Sequence, residues 1–136
     1  MEKESTKILV VDDEPDLTFG CSMVLELYGF EVDSFNDPVK ALSNFKPNVY
    51  NLIILDVKMP KMDGFTLYNE IKKRDKNANI CFLTASELYY EQFRKEEFYN
   101  MDKNLFIQKP IENQELIKRI KDIIKKKITH LLYEFI

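Results

Sequence analysis

Cysteine, glycine and proline are all scarce in this sequence. Two cysteines, Cys21 and Cys81, are too few for a disulfide framework, and a reducing, cytoplasmic setting fits them best. Three glycines and five prolines, with no Gly/Ser-rich stretch, low-complexity segment or internal repeat, give no sign of a linker between domains. No wholly apolar run exceeds about four residues, so no segment is long enough to span a bilayer. The first seven residues, Met1 to Lys7, are polar and charged, unlike a signal peptide. An excess of basic residues is missing too. The 20 Lys+Arg against 23 Asp+Glu leave a net charge of −3, which argues against direct nucleic-acid binding. What remains is 136 residues, 45% hydrophobic and 32% charged, enough for one globular domain with a substantial core.

Apolar runs and helical spacings alternate along the chain. Ile8-Leu9-Val10-Val11, Leu52-Ile53-Ile54-Leu55, Ile80-Cys81-Phe82-Leu83 and Leu105-Phe106-Ile107 are continuous runs, as expected of strands covered on both faces. Phe30-Glu31-Val32-Asp33-Ser34-Phe35 partly alternates, which suits an edge strand. Between them, Leu17, Cys21, Val24 and Tyr28 recur at helical spacing, as do Val39, Leu42 and Phe45 after an Asp37-Pro38 cap, and Leu67, Tyr68 and Ile71 after a turn at Asp63-Gly64. A further helix is expected after Ser86, using Leu88, Tyr89 and Phe93, and a last one after Pro110. Five strand–helix units predict an α/β fold, a doubly wound (βα)5 parallel sheet with helices on both faces. Such sheets bind ligands at the carboxyl ends of their strands.

Charged and polar residues collect at those ends. The first strand runs into Asp12-Asp13-Glu14, the third into Asp56, the fourth into Thr84-Ala85 and the fifth into Gln108-Lys109-Pro110. Crowded carboxylates repel one another unless a cation neutralises them. Hard oxygen donors with open positions suit Mg²⁺, with Mn²⁺ as the alternative ion. A carboxylate is also a nucleophile toward phosphorus, and a metal ion and a lysine neutralise a transferring phosphoryl group.

These residues resemble the response regulator receiver domain, the CheY-like superfamily of two-component signalling. The opening strand with its acidic pair, Leu55-Asp56 followed by Met59-Pro60 and Asp63-Gly64, then Leu83-Thr84-Ala85 and Lys109-Pro110, occur in the family's order. The resemblance implies a flavodoxin-like sheet of order 2-1-3-4-5 over residues 5–127. It implies that Asp56 is the phosphoacceptor, that Asp12, Asp13, Asp56 and the backbone carbonyl of Lys58 hold the metal, and that Thr84 and Lys109 bind the phosphoryl group. Phe106 is then the aromatic switch residue, and Lys109–Pro110 a cis peptide. A sensor histidine kinase or phosphotransfer protein is the implied partner. The surface of the fourth helix, fifth strand and fifth helix is the implied output, and turnover catalysis is not expected. Two other classes remain as rivals. A pseudo-receiver, never phosphorylated, is disfavoured by the intact acidic, hydroxyl and lysine set. An Asp-nucleophile Mg²⁺-dependent phosphohydrolase is disfavoured by Lys58, because such enzymes carry an acid two residues after the nucleophile.

Some residues read more simply. Asp63-Gly64 serves a turn and helix start. Cys21 and Cys81 lie on apolar faces, and His130 is a surface residue. The stretch Ser86 to Asn104 departs from the family pattern, with no glycine after Gly64. At the C-terminus, Ile117, Ile120, Ile124, Ile128, Leu131 and Phe135 continue a helical stripe past what one sheet needs. Residues 128–136 therefore read as a helical extension, either a homodimer contact or linker start, or a stripe that folds back or frays. Residues 112–136 carry six basic against four acidic residues, a net of +2. Residues 1–111 carry fourteen against nineteen, a net of −5.

Overall fold

A computed structural model describes residues 5–85, 91 and 101–134. Five strands, β1 (Lys7–Val11), β2 (Glu31–Phe35), β3 (Leu52–Leu55), β4 (Ile80–Thr84) and β5 (Phe106–Gln108), form one parallel sheet of order β2-β1-β3-β4-β5. This is the order expected. The helices described are α1 (Pro15–Leu27), α2 (Pro38–Ser43), α3 (Gly64–Arg74) and the last one, α4 (Asn113–Glu134). The helix expected after Ser86, with Leu88, Tyr89 and Phe93, lies outside the described residues.

Strand side chains alternate between faces, and both faces are covered. Leu9, Val11, Ile53, Leu55, Ile80 and Phe82 meet α2 and α3 through Ala41, Phe65, Leu67 and Ile71. Ile8, Val10, Leu52, Ile54, Cys81 and Ile107 meet α1 and α4 through Leu25, Leu116, Ile117, Ile120 and Ile123. Two-sided burial is the physical reason the strands read as unbroken apolar runs. β2, at the edge, is more exposed than the central strands.

The helix faces differ from the expectation. In α1 the fully buried positions are Thr18 and Leu25, while Leu17 and Tyr28 are exposed. The threonine hydroxyl donates to the Pro15 carbonyl and accepts from Asn36 Nδ2 at 2.8 Å, so burial leaves it satisfied. In α2, Ala41 and Pro38 face the core and Val39 faces outward. Asp37 caps α2 as expected, accepting from Val39 N at 2.9 Å with Pro38 in the first turn. β5 starts one residue later than the apolar run suggests, because Leu105 closes a 3₁₀ turn over Lys103–Leu105.

Candidate functional site

The carboxyl ends of β1, β3, β4 and β5 surround a cleft of about 680 Å³, lined in part by Asp13, Asp56, Lys58, Thr84 and Lys109. Parallel strands bring these residues together although they are up to about a hundred positions apart in sequence. Asp56 leaves β3 with its N–H donating to the Val11 carbonyl at 2.9 Å. Its carboxylate accepts from Val57 N at 2.8 Å. Asp12 accepts from Glu14 N at 3.0 Å, which shapes the loop after β1. Asp12, Asp13 and Asp56 each offer a carboxylate oxygen within 4.8 Å of the others. Lys109 Nζ lies 2.8 Å from Asp12 Oδ2, and its backbone N–H donates to the Thr84 carbonyl at 2.8 Å, tying the β5 end to β4. Thr84 is buried beneath the cleft, and the Lys109–Pro110 peptide is cis.

Phe106 stands apart from the cleft lining. It is buried among Phe82, Phe65 and the α3 side of the core, with its ring centroid 6.2 Å from that of Phe82. Lys58 is exposed at the cleft mouth. Cys21 and Cys81 have no part in this chemistry. Burial pushes their thiols up to about 11 and about 12, away from the reactive thiolate.

Two contributors escape a reading of the sequence. Asn36 Nδ2 donates to the Asp12 carbonyl at 2.9 Å and to Thr18, pinning the acidic loop to α1. A lone Asn after an edge strand carries no signal of this. Gly64 is visible as a turn residue, but its closeness to the site is not. A Cβ there would stand 2.1 Å from the Asp56 carbonyl oxygen. Its N–H donates to Val57 O at 2.8 Å, so the start of α3 is held against the backbone of the acidic strand end.

The electrostatics follow from burial. Removal from water pushes the Asp56 carboxyl up to about 6, with the Asp12 charge adding to the rise. The Lys109 ammonium, the Val57 N–H and the Thr84 hydroxyl oppose it. A folded-state pKa above the unfolded value means that the folded protein holds a proton the unfolded chain has lost. The metal-free protein should therefore lose stability as pH rises from about 4 to about 6. Urea unfolding of wild type and Asp56→Asn across this range checks it, since only the wild type should show the Asp56 part of the decline.

Three carboxylates with further room on the cleft side form a donor set of the type Mg²⁺ takes, and their spacing suits one ion between them. Asp12, Asp13 and Asp56 are the residues that would hold it.

Comparison with known proteins gives a consistent result. The family model described as Response regulator receiver domain matches residues 8–121. The chain is 36% identical over 121 residues to the transcriptional regulatory protein CpxR homolog of Haemophilus influenzae, covering 89% of this chain and 51% of that protein. It is 31% identical over 123 residues to the transcriptional regulatory protein RprY of Bacteroides fragilis, covering 90% and 51%. The chain spans about half the length of the curated relatives it matches. Among solved structures, the response regulator protein TrrA of Thermotoga maritima, in complex with Mg²⁺ and BeF, aligns with a TM-score of 0.69 at 29% identity. That match covers 87% of this chain and 98% of the other. The non-phosphorylated HemR receiver domain of Leptospira biflexa aligns with a TM-score of 0.76 at 29% identity, covering 88% and 94%. Among the described residues, no helix is long and apolar enough to cross a membrane.

Proposed function

This chain belongs to the response regulator receiver domain family, and from that premise we propose that Asp56 is its phosphoacceptor. The donor is a phosphohistidine on a sensor histidine kinase or phosphotransfer protein in the cytoplasm. A carboxylate oxygen of Asp56 forms the new O–P bond while the N–P bond breaks, and the imidazole leaves with the bonding pair. The observation that carries this reading is the convergence of Asp12, Asp13, Asp56, Thr84 and Lys109 on one cleft at the strand ends.

Each residue has a role that its position supports. Asp12, Asp13 and Asp56, with the Lys58 carbonyl, would hold Mg²⁺, and Mn²⁺ would serve in its place. When bound, the ion neutralises negative charge on the transferring phosphoryl oxygens. Lys109 keeps its ammonium at the cleft through Asp12 until a phosphoryl oxygen competes for it. Thr84 offers its hydroxyl to another phosphoryl oxygen from below. Movement of Thr84 frees space into which Phe106 repacks, and this biases an existing two-state equilibrium of the surrounding surface. The aspartyl-phosphate is lost slowly to water, so residues 5–127 act as a switch and not as a turnover enzyme.

Mg²⁺ should stabilise the folded chain by about 2.7 kcal/mol at a hundred times its dissociation constant. Thermal unfolding with Mg²⁺ and then with excess chelator measures this. The gain should vanish with chelator and shrink strongly in Asp13→Asn. Equal stabilisation of wild type and Asp13→Asn would remove the acidic pair from the metal site.

A further inference from the structure

The acidic loop between β1 and α1 is held from outside the cleft, by a residue that bonds to its backbone instead of its carboxylates. Residues 12–14 are Asp-Asp-Glu, three like charges in a row beside Asp56. They repel one another when no cation lies between them, and Lys109 offsets this only at Asp12. The loop therefore tends to splay where a hard divalent ion needs its oxygens close. No side-chain cap closes the far end of the loop, because the Glu14 side chain makes no capping hydrogen bond at the start of α1.

Asn36, the first residue after β2, supplies the restraint. Its Nδ2 donates to the Asp12 carbonyl at 2.9 Å and to Thr18 Oγ1 at 2.8 Å. The two hydrogens belong to one planar amide, so the two acceptors are fixed relative to each other. One acceptor lies at the start of the loop and the other near the start of α1. Thr18 Oγ1 gives its own hydrogen to the Pro15 carbonyl at 3.0 Å, which leaves its lone pairs for Asn36. Phe35, the neighbour of Asn36, accepts from the Asp12 N–H at 3.2 Å. Both backbone polar groups of Asp12 are thus held by consecutive residues at the end of β2. Asn36 reaches in from the surface, but Asp12 and Thr18 are 5% and 4% exposed, so both acceptors lie where water competes poorly.

We propose that Asn36, oriented by Thr18, is the positioning residue of the divalent-cation site. It holds the loop of residues 12–14 closed against the repulsion of its own carboxylates, so that an incoming ion meets Asp12 and Asp13 already in place. The proposal rests on the reading of Asp12, Asp13 and Asp56 as the metal-binding set. Neither Asn36 nor Thr18 would touch the ion. Their contribution is to take the ordering of the loop out of the binding step, as preorganisation does in general. Thr18 acts only through Asn36, so losing both should weaken binding no more than losing Asn36 alone.

Mn²⁺ binding to the full chain, read from the loss of the free-ion signal in electron paramagnetic resonance, tests it. Wild type should bind the ion, and Asp13→Asn should bind it far more weakly. Asn36→Ala should raise the dissociation constant about tenfold, the low end for a residue that supports a metal ligand, as suits an exposed side chain. Thr18→Val keeps the shape, removes the hydroxyl, and should raise the constant about threefold. Thr18→Ser keeps the hydroxyl and should bind as wild type does. The double variant Asn36→Ala/Thr18→Val should match Asn36→Ala alone. Metal-free melting separates lost stability from lost affinity, since each variant folded at the assay temperature reports its own constant. Wild-type affinity in folded Asn36→Ala overturns the proposal and leaves the metal site standing. So do losses that multiply in the double variant, or a Thr18→Ser as weak as Thr18→Val. Should Asn36→Ala not fold, the Thr18 pair decides alone. Wild-type binding that is indifferent to Asp13→Asn overturns the metal-site reading, and this proposal with it.

Discussion

Gly64→Ala should destabilise the protein by about 3 kcal/mol or more and disturb the acidic cluster at the strand ends. The added Cβ would stand 2.1 Å from the Asp56 carbonyl oxygen and 2.9 Å from the Val57 Cα. Those are backbone atoms, so no side-chain rotation relieves the clash. Either α3 moves outward or the end of β3 moves. The first loosens Phe65, Leu67 and Ile71 from the core. It also strains the Gly64 N–H to Val57 carbonyl bond and the Asp63 cap on Thr66 N. The second shifts Asp56 relative to Asp12 and Asp13. Chemical denaturation should show the lower midpoint, and Mg²⁺ titration should show weaker binding in the fraction that still folds. Wild-type stability in this variant would mean that α3 does not approach the strand end as described.

Asp56→Asn has the other large effect, and its two parts point in opposite directions. Phosphoryl incorporation from a small-molecule donor should fall at least a hundredfold, because an amide oxygen is a far weaker nucleophile than a carboxylate. Metal-free stability near neutral pH should instead rise. Burial and the neighbouring Asp12 charge disfavour the ionised carboxylate, as its rise to about 6 records, and the neutral amide removes that conflict. The variant should unfold at higher temperature without Mg²⁺ and gain less from its addition. A variant both inactive and less stable would point to misfolding instead of loss of the nucleophile.

The sheet and the gathering of carboxylates at its end were legible from the residues because both obey strong local constraints. Two-sided burial demands unbroken apolar strands, as in Leu52–Leu55, and the carboxylates follow directly at the strand ends. Strand order came from the family resemblance, and the observed order agrees. Helix faces were less legible. Thr18 is buried because its hydroxyl finds Pro15 and Asn36, a satisfaction that polarity alone does not announce. Phe19 and Leu27 are exposed despite their apolarity, because they fall on the side of α1 opposite the buried Thr18 and Leu25. The cap at Asp37-Pro38 was local and therefore readable. The Asn36 bridge and the approach of Gly64 to Asp56 are long-range contacts that leave no pattern in a single sequence.

The most direct measurement of the central claim is the intact mass of the full chain after exposure to acetyl phosphate, with the modified residue located by borohydride trapping and peptide mapping. With Mg²⁺ present, one phosphoryl group should be found, on Asp56, and excess chelator should abolish it. A phosphoryl group on another residue, or one whose attachment is indifferent to chelator, would contradict the account, as would an unmodified chain in the presence of Mg²⁺.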